Sequence, residues 1–125
     1  MTKIADAVQL FNCPGPKPNG LQSTEEGLWV IDQGNNYAYL LDWINGKTIK
    51  SFETETDKSS GITVDNEGNL WIASTYNCKI YKIDSKSGDT IEVHCYDYSE
   101  KTPYKDALQV AISTKEFDDF LSIAY

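Results

Sequence analysis

The sequence predicts an all-β fold: a partial β-propeller with two complete four-stranded antiparallel blades, an N-terminal outer strand and an incomplete third blade. Three observations predict it. The chain repeats itself at a spacing of 42 residues. The repeated unit consists of short runs rich in large and β-branched side chains, separated by polar turns. Those runs carry apolar residues on both faces, as strands covered by neighbouring sheets on either side do.

The repeat has no gap. Shifted by 42 residues, Leu28, Trp29, Asn35, Tyr39, Asp42, Gly46, Thr48 and Ile49 fall on Leu70, Trp71, Asn77, Tyr81, Asp84, Gly88, Thr90 and Ile91. A period of about 40–45 residues marks propeller blades or helical arrays, and the strand composition selects the blades. Within each period "LWVID" or "LWIAS" is followed, after a few polar residues, by "YAYLLD" or "KIYKID", the pattern of a hairpin. "DWINGKT" and "DSKSGDT" are tight turns, with Gly46 and Gly88 free to take positive φ. "TIKSF" and "TIEVHCY" supply the outer strand, and "GITVD" the inner one.

Taken in order, residues 1–19 hold an outer strand and a stiff Pro/Gly connector: "AVQLF" (7–11) matches "TIKSF", and "PGPKPNG" (14–20) leads into the first blade. Residues 20–53 form blade one and residues 54–96 blade two. Residues 97–125 form a loop and part of a third blade, because "ALQVAIS" resembles "GLQS" and "GITVD" while "FLSIAY" resembles "NLWIAS". A helix is the rival reading there. Ser113 and Glu116 have capping-box spacing, and Phe117, Phe120, Leu121 and Ala124 share a helical face. The turn between Asp84 and Asp89 sets paired residue numbers in the last hairpin to sum to 173, which puts Cys78 opposite Cys95, near disulfide reach. In a reducing compartment these stay free thiols.

Composition narrows the function. The 125 residues suit one domain, and the net charge of −8 repels phosphate backbones and anionic lipid heads, so neither nucleic acid nor a membrane is an expected partner. No apolar run approaches the roughly 20 residues of a membrane span, and the start lacks the pattern of a secretory leader, so a cytoplasmic location is expected. Three cysteines without a CxxC and a single histidine, His94, argue against a zinc site.

"GITVDNEGNLWIASTYNCKIYKID" (61–84) resembles a blade of the superfamily that holds NHL-repeat proteins, streptogramin B lyase and the gluconolactonase/senescence-marker group. Gly61, Asp65, Gly68, Asn69, Leu70, Trp71, Lys79, Ile80, Ile83, Asp84 and Gly88 carry the likeness, and Asp32, Gly34 and Asn35 match an NHL-like turn. The resemblance implies blade architecture over roughly residues 20–96. It implies no activity, since one fold serves many functions. The lyases resemble one another in His and acidic residues on central blade edges, whereas His94 lies on an outermost strand and Ser74 stands where an acidic residue often follows. The lactonase group holds a divalent metal through carboxylates from several blades, so neither site is carried over.

The binding residues expected from the sequence are Gln22 and Thr63 on inner strands, with Asp32, Asn35, Thr75, Tyr76 and Asn77 in the turns between second and third strands. No catalytic residue and no metal ligand is assigned. "DNEGN" (65–69) has the oxygens of a Ca²⁺ loop without EF-hand spacing and reads better as a hairpin turn. Trp29 and Trp71 recur and belong to interblade packing, Trp43 is a surface contact, and His94 faces solvent or the next blade. The function favoured is a non-catalytic binding or scaffolding module without a cofactor, acting as a homo-oligomer and preferably a dimer. The alternatives are one chain of an oligomeric propeller hydrolase or lyase whose site forms between chains, where a divalent metal such as Ca²⁺ would enter, and a truncated propeller fragment without independent activity.

Overall fold

A computed structural model describes residues 3–95. All regular structure among them is β. The strands are β1 (Pro18–Ser23), β2 (Leu28–Asp32), β3 (Tyr37–Leu41), β4 (Thr48–Glu53), β5 (Ser59–Val64), β6 (Leu70–Ser74), β7 (Lys79–Ile83) and β8 (Thr90–Cys95). They form two sheets, β1-β2-β3-β4 and β5-β6-β7-β8, each an antiparallel meander in sequence order. These are two adjacent propeller blades, as the repeat predicts.

The likeness extends to irregularities. Each inner strand has a register shift near its start, between Pro18 and Gly20 and between Ser59 and Gly61. Each outer hairpin has one at the same phase, between Leu40 and Leu41 and between Lys82 and Ile83. The turns repeat too. Asp42 Oδ1 accepts from the backbone N–H groups of Ile44 and Asn45 at 2.8 and 3.2 Å, and Asp84 Oδ1 from those of Lys86 and Ser87 at 2.7 and 3.1 Å. Gly46 and Gly88 close these turns at φ of 71° and 82°, a region that L side chains enter at a cost.

Register is where one expectation fails. Ile83 faces Thr90, whose numbers give the expected sum, but the bulge after Lys82 moves every later pair by one: Lys82 faces Glu92 and Lys79 faces Cys95. Cys95 therefore lies opposite Lys79, while Cys78 stands in the preceding turn at φ 55°. A β-bulge places two residues against one and shifts the ladder beyond it.

The core lies between the blades. Blade one contributes Trp29, Ile31, Ala38 and Leu40, with Phe52 beside them; blade two contributes Ile62, Leu70, Ile72, Tyr81 and Ile83. Trp29 and Phe52 meet with tilted rings 5.9 Å apart. The opposite face of blade two carries Trp71, Ala73, Ile80 and Lys82.

Residues 7–11 enter neither sheet. The expected outer strand is irregular here because both described sheets already have four strands and offer it no edge of its own blade. Its last residue nonetheless packs on an outer turn: a Cβ on Gly46 would meet the Phe11 ring. Residues 97–125, with the third blade and the rival helix, lie outside the described residues.

Candidate functional site

Antiparallel meanders send alternate connections to opposite ends of a blade. The connectors 14–17 and 54–58 and the turns 33–36 and 75–78 gather at one rim. The connections 24–27, 42–47, 65–69 and 84–89 gather at the other. The seven expected binding residues divide between these rims. Asp32, Asn35, Thr75, Tyr76 and Asn77 lie at the first. Gln22 and Thr63 lie toward the second, opposite Trp29 and Trp71, with Gln22 about 10 Å along the strand from the level of Asp32.

At the first rim most polar groups hold the fold. Asp32 is buried, and its carboxylate accepts from the N–H groups of Lys17, Gly34 and Asn35 at 2.7, 2.8 and 3.0 Å. This ties the 14–17 connector to the β2–β3 turn. Ser74 takes the equivalent place in blade two and accepts from Asp57 N–H at 2.7 Å. Asn35 donates to the Tyr39 hydroxyl at 2.7 Å, and Asn77 to that of Tyr81 at 3.0 Å. The Asn77 side-chain oxygen is buried without a hydrogen-bond partner among the described residues. Asn36, at φ 62°, links the blades: its side chain accepts from Lys58 N–H and its carbonyl from Thr54. Thr75 N–H donates to the Lys58 carbonyl, and the Tyr76 side chain is exposed.

At the second rim Thr63 donates to the Gln22 side-chain oxygen at 3.2 Å, bridging two innermost strands. At the same rim, between the blades, opens a cleft of about 480 Å³ lined by Thr24, Trp29 and Val64 among others. Its walls include Glu25, Glu26, Asp65 and Glu67, with Lys50 and Lys86 on the outer side. Lys50 reaches across to the Ser85 carbonyl at 3.2 Å. The sequence reading missed this cleft, although a signal was present: "TEEG" (24–27) and "DNEG" (65–68) fall in the corresponding connection of each blade, before "LW".

Asp65 is the structural member of the cleft. Its carboxylate accepts from the N–H groups of Glu67 and Asn69, both at 2.9 Å, and from the Trp71 indole at 2.9 Å. Burial works to raise its pKa, but these donors outweigh it and the net shift is downward. The "DNEGN" segment is thus a hydrogen-bonded turn, closed by Gly68 at φ 87°.

His94 is on the outer strand, stacked on Trp71 at 5.7 Å with its Nε2 2.9 Å from Glu92. The His94 hydrogen bond, aided by Lys82, holds the Glu92 carboxyl below its ordinary range. Trp43 is half exposed and donates to the Thr24 carbonyl at 3.0 Å.

No protein-family model matches the sequence, and no curated protein does. Solved structures do. A streptogramin B lyase is 27% identical, with a TM-score of 0.55 over 68% of this chain and 28% of its own. Virginiamycin B lyase from Staphylococcus aureus is 21% identical, with a TM-score of 0.52 over 63% of this chain and 27% of its own. A luciferin-regenerating enzyme is 22% identical, with a TM-score of 0.50 over 63% and 30%. These are propeller-type proteins, and the chain shares the fold of their superfamily while spanning less than a third of each of their lengths.

Proposed function

We propose that the chain is a propeller binding module whose ligand surface is the second rim. One observation carries this reading: the rim toward which the bonded pair Gln22 and Thr63 lies also holds an interblade cleft whose carboxylates outnumber its ammonium groups. Such a wall favours a cationic or hydrogen-bonding ligand over an anionic one, in keeping with the net charge of −8. The first rim supports this choice by contrast, since Asp32, Asn35 and Asn36 are already engaged in folding. Titration of isotope-labelled chain with spermidine, followed by amide NMR, tests the proposal. The expected result is shifts clustered on Gln22, Thr63, Glu25 and Glu67, lost in Gln22→Ala together with Thr63→Ala. Shifts confined to residues 33–36 and 75–78, or none, would contradict it.

The streptogramin B lyase likeness favours a second reading, in which the chain is part of a propeller lyase whose site forms between chains. Incubation with virginiamycin B, followed by mass spectrometry, separates the two. A converted product would support the lyase, and unchanged compound accompanied by the spermidine shifts would support the binding module. A cytoplasmic location belongs to the first reading. Among the described residues no helix is long and apolar enough to cross a membrane.

A further inference from the structure

The chain holds two Asn-Gly pairs, Asn19-Gly20 and Asn45-Gly46. In such a pair the backbone nitrogen of the glycine can attack the side-chain amide before it, because no Cβ obstructs the approach. The fold treats the two pairs differently. Asn19 lies in β1, at the bulge between Pro18 and Gly20. Its side-chain nitrogen, the group that would have to leave, donates to the Ser59 carbonyl of blade two at 3.0 Å. Gly20 is hemmed in: a Cβ there would meet Ile31 at 2.9 Å and the backbone of Gly61 and Ile62 at 3.1 and 3.2 Å.

Asn45 stands exposed in the β3–β4 turn, where Gly46 takes φ 71°. Its side-chain oxygen accepts from Lys47 N–H at 2.8 Å. That bond folds the side chain back along the main chain past the Gly46 nitrogen, and it polarises the amide carbonyl as an oxyanion donor does. One contact opposes reaction, the bond from Gly46 N–H to the Asp42 carbonyl at 2.9 Å, and it lies in the same turn. In blade two Ser87 takes the equivalent place. Its hydroxyl accepts from Asp89 N–H at 3.2 Å, so it holds the turn without an amide to lose.

We infer that Asn45 is a spontaneous modification site and that the fold protects Asn19. The Gly46 nitrogen gives up its proton and bonds to the Asn45 side-chain carbonyl carbon, and the amide nitrogen leaves as ammonia. Water then opens the succinimide. Opening at the side-chain carbonyl leaves aspartate. Opening at the main-chain carbonyl leaves isoaspartate, with an extra methylene in the backbone of the turn. Either product adds a negative charge to a chain that already carries −8. The inference goes beyond the binding reading and depends on no ligand.

Ageing the full chain in mildly alkaline buffer, folded and in urea, tests it. Mass spectrometry of the digested peptides reads the exchange of ammonia for water at each site, and electron-transfer fragmentation reads the isoaspartyl link. In the folded chain Asn45 should convert at least about tenfold faster than Asn19. In urea the two should convert nearly alike, since both precede glycine. Equal rates in the folded chain, faster conversion at Asn19, no conversion at either site, or the same preference for Asn45 in urea would overturn the inference.

Discussion

Blade one and blade two share a backbone plan and differ in the face each turns away from the N-terminus. In blade one that face is covered by blade two, and it carries Leu40, Phe52 and Trp29. In blade two the same positions hold Lys82, His94 and Trp71. The ring pair survives, as Trp29 with Phe52 at 5.9 Å and Trp71 with His94 at 5.7 Å, but the second pair is surrounded by charge. Lys82 lies 5.5 Å from the Trp71 ring centre and 3.5 Å from Glu92. Turns and bulges are kept because they set the path of the chain. Face residues differ with their partners: Lys82 has Glu92 beside it, whereas a lysine among the apolar neighbours of Leu40 would lose its hydration uncompensated.

Exchange of those face residues gives the largest expected effect. Leu40 is fully buried, so Leu40→Lys should cost about 4 kcal/mol or more in urea unfolding, whereas Lys82→Leu should stay within about 1 kcal/mol. Equal costs would mean that the two faces do not differ in their tolerance of charge. Next come the turn glycines. Gly88→Ala should cost about 2 kcal/mol, from positive φ and collision with Phe52, which is held in β4 against the core, and Gly46→Ala about 1 kcal/mol, because Phe11 belongs to no sheet and can move.

A smaller contrast lies in the paired asparagines. Asn35 also accepts from Tyr37 N–H at 3.0 Å, while the Asn77 oxygen is unpartnered among the described residues. Asn35→Ala should therefore cost about 2 kcal/mol and Asn77→Ala about 1 kcal/mol by thermal melts. The smallest effect depends on pH. The Asp65 pKa is lowered on folding, so its contribution is complete above the unfolded value of 3.8 and fades as pH falls through the folded value. The melting-temperature gap between wild type and Asp65→Asn should be constant from about pH 5 to 7 and narrow steadily in acid, once pH falls through the lowered folded value. A gap that widens in acid would refute the assigned hydrogen bonds.

These contrasts also show what could be read in advance. The blades were legible because turn chemistry and strand pattern recur in phase: Asp42 with Asp84, Gly46 with Gly88, Asn35 with Asn77. The register of the last hairpin was not, since a bulge at Lys82 leaves no mark in residue type. The expected binding residues were placed only in part by the repeat. Gln22 and Thr63 do meet, but alternate connections sent the other five residues to the opposite rim, where Asp32 faces inward to its own backbone. The acidic cleft went unnoticed because "TEEG" and "DNEG" lie one residue out of the 42-residue phase and share only two identities.

The central claim is that one structural unit recurs, with Phe11 holding the place before blade one that Phe52 holds before blade two. Proton NMR of the two turn glycines tests it most directly. An aromatic ring stacked over a glycine shifts its Hα signals upfield and gives nuclear Overhauser contacts to the ring protons. The account predicts both signatures at Gly88 with Phe52 and at Gly46 with Phe11, the latter lost in Phe11→Ala while Gly88 is unchanged. Ring contacts at Gly88 alone, with Gly46 at an ordinary turn-glycine shift, would contradict it.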